Sequence, residues 1–107
     1  MDDGFNYIIQ EVYDSSTGCS SEKHERIIGK RCFVETLEIG QQCYMIVEPY
    51  GNHLSSRWYA TSRVHGVCRS IKTGELVINT ENSVYILNPI NGGDSSDLFR
   101  QCSDHAD

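Results

Sequence analysis

The stretch of sequence that decides the fold lies in the last third of the chain. It reads Leu76-Val77-Ile78-Asn79-Thr80-Glu81-Asn82-Ser83-Val84-Tyr85-Ile86-Leu87. Two runs rich in β-branched and aromatic residues flank a two-residue connection, which is the pattern of a β-hairpin. Asn82 suits that connection, since asparagine tolerates the positive φ that tight hairpin turns require. Residues 76–87 therefore predict two antiparallel strands, and Pro89 ends the second one.

Strand-like runs continue toward the N-terminus, separated by connections rich in glycine, serine and asparagine. They cover residues 5–13, 27–34, 43–48 and 57–69. No run shows the apolar period of about 3.6 residues that marks an amphipathic helix, so a helical domain is not predicted. The pattern predicts one mainly β domain over residues 1–90, a small SH3-like barrel or a rolled antiparallel sheet of five to six strands.

Two segments fall outside the predicted strands. Residues 14–22 are polar and contain Gly18, and they predict a first loop that is long for a compact domain. Residues 91–107 carry glycine, serine and aspartate with few apolar anchors. This second segment predicts a flexible acidic C-terminal tail.

Residues 57–69 alternate in character, which predicts the two faces of one strand. The face predicted to pack inward carries Trp58, Ala60, Ser62 and Val64. The opposite face, predicted to form a partly basic and partly aromatic surface, carries Arg57, Tyr59, Thr61, Arg63 and His65. Gly66 interrupts the strand and predicts a bulge or a bend.

Composition limits the class of the protein and its compartment. The chain has 107 residues, of which 38% are hydrophobic and 22% are charged, as is typical of one globular domain. No apolar run approaches the length of about 20 residues that a membrane-spanning helix needs. The acidic N-terminus lacks the features of a secretory signal. The sequence therefore predicts a cytosolic protein without membrane contact.

The five cysteines are an odd number and include no Cys-x-x-Cys pair. A zinc ribbon or a redox dithiol thus has no local support, and we predict reduced thiols that serve as small core residues. The four histidines show no metal-ligand spacing, and the chain has no glycine-rich phosphate loop. The sequence predicts no catalytic residue, no metal and no cofactor, with a distant-residue zinc site and a cysteine nucleophile as minor alternatives.

The net charge of −6 is unevenly distributed along the chain. Residues 41–87 carry four basic and three acidic side chains, whereas both ends are acidic. An overall negative field disfavours non-specific binding to nucleic acid and suits a partner that is itself basic.

Short motifs between Ile39 and Leu87 carry a resemblance to known proteins. They are Ile39-Gly40, the strand from Tyr44 to Glu48, Thr61-Ser62-Arg63-Val64, and the hairpin from Asn79 to Leu87. Their order resembles uncharacterised small β-barrel proteins of Gram-positive bacteria and their phages, which place Thr-Ser-x-Val before a closing Thr-x-Asn-Ser-x-Tyr-x-Leu hairpin. The resemblance covers under half of the chain. It implies a small β-barrel from a mobile element, working in the host bacterial cytosol, and it assigns no functional residue.

These observations support one function hypothesis and two alternatives. The first is a non-enzymatic binding protein that contacts a host protein, most specifically a phage or mobile-element inhibitor of a bacterial defence nuclease of the anti-CRISPR type. The alternatives are a small nucleic-acid-binding β-barrel and a self-associating structural module, so the oligomeric state stays open. Anchor residues are predicted by their type, and an acidic loop surface by its charge. The predicted binding residues are Arg57, Trp58, Tyr59 and Arg63, with Asp14 and Glu22 on the loop and Glu25 just after it. For Trp58, a place in the core is the alternative.

Overall fold

The computed structural model describes residues 5–49 and 55–90, which form six strands and one short helix. The elements are β1 (Tyr7–Asp14), α1 (Glu22–Glu25), β2 (Arg31–Thr36), β3 (Gln42–Val47), β4 (Arg57–Arg69), β5 (Leu76–Thr80) and β6 (Ser83–Pro89). The mainly β prediction is confirmed, and each predicted strand corresponds to an observed one. The predicted tail at residues 91–107 lies outside the described residues.

The six strands close into one antiparallel barrel. Each strand pairs with the next along the chain, and β6 pairs back with β1 over seven residue pairs, from Tyr7↔Pro89 to Asp14↔Ser83. The seam between β1 and β2 is much shorter, with Tyr7↔Cys32 and Ile8↔Arg31 as its register pairs. The small-barrel prediction is confirmed. Closure matters because it leaves few strand edges open to pairing with other chains.

The predicted β5–β6 hairpin forms, but by different turn chemistry. No described residue other than glycine has a positive φ, so the reason given for Asn82 was wrong. Side-chain hydroxyls hold the turn instead. The Thr80 hydroxyl accepts a bond from the Ser83 backbone N–H at 3.0 Å and donates to the Ser83 carbonyl at 2.8 Å. The backbone N–H of Asn82 donates to the Ser62 hydroxyl at 3.1 Å, which ties the turn to β4.

The face prediction for β4 was wrong over its first half. Val64 is buried as expected, but Trp58 lies outside with 64% of its surface exposed, and Tyr59 lies inside with 8% exposed. The cause is an extra residue in β4, because Tyr44 pairs with Ala60 whereas Gln42 pairs with Arg63. Such a bulge exchanges the two faces of a strand. The alternation that puts Val64 inside is therefore reversed for the residues that precede the bulge.

A second irregularity in β4 confirms the bulge predicted at Gly66. Val64 pairs with Thr80 of β5 and Gly66 pairs with Asn79, which leaves His65 as an extra residue. With two bulges, β4 bends enough to pair with β3 first and with β5 afterwards.

The predicted loop at residues 14–22 is an ordered turn that leads into α1. The backbone N–H of Asp14 donates to the Cys19 carbonyl at 2.8 Å, and that of Gly18 donates to the Asp14 carbonyl at 2.7 Å. Ser21 then caps α1. The helix was not predicted, because four residues give no periodic signal and because His24 occupies the position where a capping box normally has Glu or Gln.

The barrel interior holds one apolar cluster that includes Cys32, Cys43 and Met45, all fully buried. Burial raises the pKa of the Cys32 thiol to about 12 and that of Cys43 to about 11. These two thiols confirm the prediction of core cysteines. The prediction was wrong for Cys19 and Cys68, whose thiols are free and exposed.

Thiol labelling tests the interior of the barrel. At about pH 8, iodoacetamide should alkylate Cys19 and Cys68 in the folded protein and spare Cys32 and Cys43, because only an accessible thiolate reacts readily. Peptide mapping by mass spectrometry reads each cysteine separately, and all should react in guanidinium. Rapid alkylation of Cys32 or Cys43 under native conditions would contradict their burial.

Candidate functional site

Apolar side chains line the outside of β2, β3 and β4. Phe33 lies directly opposite Ile46, and Ile46 lies directly opposite Trp58. Tyr44 projects from the same side of β3 as Ile46, because the alternate residues Cys43, Met45 and Val47 are buried. We call this surface the aromatic face and define it as Phe33, Tyr44, Ile46 and Trp58.

Trp58 dominates the aromatic face by its exposure. It keeps 64% of its surface open to solvent, Tyr44 keeps 38%, and Phe33 and Ile46 are half-buried. Single exposed apolar residues are ordinary, whereas contiguous apolar patches on a monomer tend to mark interaction sites. Tryptophan and tyrosine are also among the residue types that contribute most to binding energy. The aromatic face is therefore a candidate contact surface.

The aromatic face is held in a fixed arrangement before any partner arrives. The rings of Tyr44 and Trp58 meet edge to face, with centroids 6.4 Å apart and planes at 77°. The Tyr44 hydroxyl donates to Oε1 of Gln42 at 2.9 Å. Nε2 of Gln42 in turn donates to the Thr61 carbonyl of the next strand at 3.0 Å. Fixed side chains lose less conformational entropy on binding.

The seven predicted binding residues lie in three places. Arg57, Trp58 and Arg63 are exposed on β4, as a contact role requires for each of them. Tyr59 was predicted on the surface and is instead inside the barrel, because of the bulge described above. Asp14 belongs to β1, and Glu22 and Glu25 belong to α1, so none of the three lies on the aromatic face.

The predicted acidic surface is weaker on the barrel than in the sequence as a whole. In α1 and the residue after it, Glu22 and Glu25 alternate with Lys23 and Arg26. The described residues carry nine acidic and eight basic side chains, so five of the six net negative charges belong to the other residues. The described barrel is thus nearly neutral, and most of the excess negative charge belongs to sequence outside it.

A second, polar site lies at the mouth of the barrel beneath α1. It is an open pocket of about 340 Å³, lined by Asp14, Lys23, His24, Tyr59 and Tyr85 among others. The Tyr59 and Tyr85 hydroxyls share a hydrogen bond of 3.3 Å, and Nε2 of His24 lies 3.2 Å from the Ser83 hydroxyl oxygen. Burial raises the pKa of Tyr85, so its hydroxyl stays protonated and can donate a hydrogen bond.

The hydrogen bonds of His24 do not suit the role of a base for a serine nucleophile. Nδ1 of His24 accepts a bond from the Ser21 backbone N–H at 3.3 Å, so in the neutral ring Nε2 carries the proton and donates to Ser83. A histidine base needs the opposite tautomer, with a free electron pair on Nε2 facing the hydroxyl. The Ser83–His24 pair therefore serves packing and hydrogen bonding, and sequence reasoning missed it because 59 positions separate the two residues.

Within residues 5–49 and 55–90, no group of three or more His, Cys, Asp or Glu side chains is placed to hold a metal ion. The same residues contain no helix with the length and apolar character to cross a bilayer.

Comparison of the chain with protein-family models, with curated proteins and with solved structures finds no match. The resemblance to phage proteins therefore stays a prediction.

Tryptophan fluorescence tests the reversed face of β4 directly, because Trp58 is the single tryptophan of the chain. Its emission maximum should lie close to that of free indole in water, and acrylamide should quench it nearly as strongly as a model tryptophan peptide. Unfolding in guanidinium should then shift the maximum little. A blue-shifted emission that resists quenching would place Trp58 in the core and overturn the aromatic face.

Proposed function

We propose that the chain is a non-enzymatic binding protein that docks on a partner protein through its aromatic face. The observation that carries the proposal is Trp58, which is 64% exposed and yet packed in a defined edge-to-face contact with Tyr44. A barrel gains nothing in stability by leaving an indole in water, because burial of apolar surface is what stabilises folds. An exposed, oriented tryptophan is typical of a binding anchor.

The proposed contact has an apolar centre and a polar rim. Phe33, Ile46 and Tyr44 would cover the indole from one side, and the partner would supply the pocket on the other. Truncating such an anchor typically costs about 2 kcal/mol or more of binding free energy. The fixed orientation of Tyr44 through Gln42 limits the entropy lost on docking.

Charge defines the partner more closely. The described barrel is nearly neutral, but the chain as a whole has a net charge of −6, which favours a partner of positive charge, since opposite fields speed encounter and select against acidic partners. The same charge opposes the phosphate backbone of a nucleic acid, although bases stack well on exposed aromatic rings. The observations thus favour a basic protein over a nucleic acid.

The finer proposal is that this partner handles nucleic acid itself. A bacterial defence nuclease has a basic cleft for its substrate, and a negatively charged protein docked beside that cleft would block it. The support for this version is the net charge together with the sequence resemblance to phage proteins. It implies action in the cytosol of a bacterial host.

The experiment compares Trp58→Ala with Ile39→Ala. Ile39 lies in the β2–β3 connection and is 63% exposed, so it matches Trp58 in exposure but stands outside the aromatic face. Each tagged variant is incubated with lysate of a bacterial host at moderate salt, and the affinity of the captured protein is then measured by calorimetry. We expect Trp58→Ala to weaken binding by about thirtyfold or more, equivalent to about 2 kcal/mol. Ile39→Ala should bind like the parent protein, and higher salt should slow association.

Three results would reject this proposal in different ways. Equal binding by the parent protein and Trp58→Ala would remove the aromatic face from the contact. Capture of nucleic acid alone, lost on nuclease treatment and steeply salt-dependent, would favour the nucleic-acid-binding barrel. A defined oligomer in light scattering that Trp58→Ala dissociates would favour the self-associating module.

A further inference from the structure

We propose that His24 is a pH-sensitive latch, whose protonation releases α1 from the mouth of the barrel and uncovers Tyr59 and Tyr85. The polar pocket beneath α1 shares no lining residue with the aromatic face, so the latch is independent of the proposed function.

Two side chains of α1 contact the barrel. Nζ of Lys23 lies over the Tyr59 ring, 5.4 Å from its centroid, and His24 makes the buried contact. Of the four residues of α1, His24 is the buried one, and its ring packs edge to face against Tyr85 with centroids 6.3 Å apart. A helix of a single turn has almost no stability of its own, so its position depends on such contacts. Ile27 follows α1 and is fully buried in the core cluster, which fixes the chain beyond the helix. The segment free to open is therefore limited to residues near α1.

The two ring nitrogens of His24 have different tasks. Nδ1 accepts the Ser21 backbone N–H at 3.3 Å, while the Ser21 hydroxyl accepts the His24 backbone N–H at 3.2 Å. These reciprocal bonds form the cap of α1. Nε2 lies 3.2 Å from the Ser83 hydroxyl oxygen and can already act as the donor there. A proton added to Nδ1 would face the Ser21 N–H, so protonation breaks this one of the two capping bonds and leaves the Ser83 bond intact.

The groups around the ring set the direction of the switch. Burial lowers the pKa of His24 and is the largest influence, the Asp14 carboxylate of β1 raises it, and the Lys23 ammonium of α1 lowers it. Hydrogen bonds from Ser16 lower the pKa of Asp14, so this carboxylate keeps its charge in mild acid. Tyr85 and Ser83 of β6 and Tyr59 of β4 face the site with neutral hydroxyls.

The sign of the pH dependence follows from the lowered pKa. The folded state holds His24 neutral, whereas the released segment takes up a proton near the ordinary histidine pKa of about 6.5. Above that pH the closed latch contributes its full stabilising free energy. This contribution is lost as the pH falls through the lower pKa that His24 has in the closed state. The latch is closed at neutral pH and opens on acidification.

Amide hydrogen exchange by nuclear magnetic resonance tests the latch between about pH 7.5 and about pH 5, on either side of the ordinary histidine pKa. Protection factors are corrected for the pH dependence of intrinsic exchange. Amides of residues 24–28 should lose protection in acid, while those of β3 should retain it. His24→Asn should make the protection of residues 24–28 independent of pH, because its amide oxygen can accept the Ser21 N–H and cannot be protonated in this range.

Two control variants separate the latch from general effects. His65→Asn removes an exposed histidine of β4 and should behave like the parent protein. Ser83→Ala removes the partner of Nε2 and leaves Nδ1 titratable, so pH dependence should persist. Unchanged protection in the parent protein, pH dependence that survives His24→Asn, or parallel loss of protection in β3 would each overturn the proposal.

A measurement on the parent protein keeps the proposal testable if His24→Asn does not fold. Nitrogen chemical shifts of the His24 ring at neutral pH distinguish the two tautomers. The latch requires the proton on Nε2. A proton on Nδ1 at neutral pH would contradict it.

Discussion

One strand, β4, must pair with β3 along its first half and with β5 along its second, and the barrel depends on how it turns between them. An extra residue at each of two places interrupts the regular pairing, and bulges of this kind bend a strand and increase its twist. The first of these bulges also exchanges the faces of the strand. It turns Trp58 outward and Tyr59 inward. The constraint that closes the barrel therefore also produces its most exposed aromatic side chain.

The inward position of Tyr59 places a polar hydroxyl inside the barrel, where it needs a hydrogen-bond partner. Two tyrosine hydroxyls lie in a largely buried site, and unpaired polar groups there would destabilise the fold. Tyr59 and Tyr85 bond to each other, and Ser83 and His24 bond beside them. Within the part of the chain that the structure describes, no buried side-chain polar atom lacks a partner. The turn after β1 contributes to the fold by delivering His24 to this site.

The elements could be predicted from the sequence, whereas the site largely could not. Strands and turns depend on local composition, and the hairpin is predicted by twelve consecutive residues, 76–87. The faces of β4 depend on a bulge, which is set by pairing with β3 and leaves no mark in the strand itself. In β3 every residue from Cys43 to Val47 is apolar or aromatic, so no alternation shows that Tyr44 points outward. The Ser83–His24 pair joins positions that only the closed barrel brings together.

The unequal seams of β1 have a consequence for the order in which the barrel assembles during synthesis. β1 forms two register pairs with β2 but seven with β6, and those seven join residues about 70 to 80 positions apart. Contacts at such separations form late, because a long loop must close before they contribute. Of the six strands, β1 is synthesised first, and β6, with which it forms most of its pairs, is synthesised last. The first of the six strands to be made is thus among the last to be paired, and apolar side chains that stay exposed during folding are prone to aggregation.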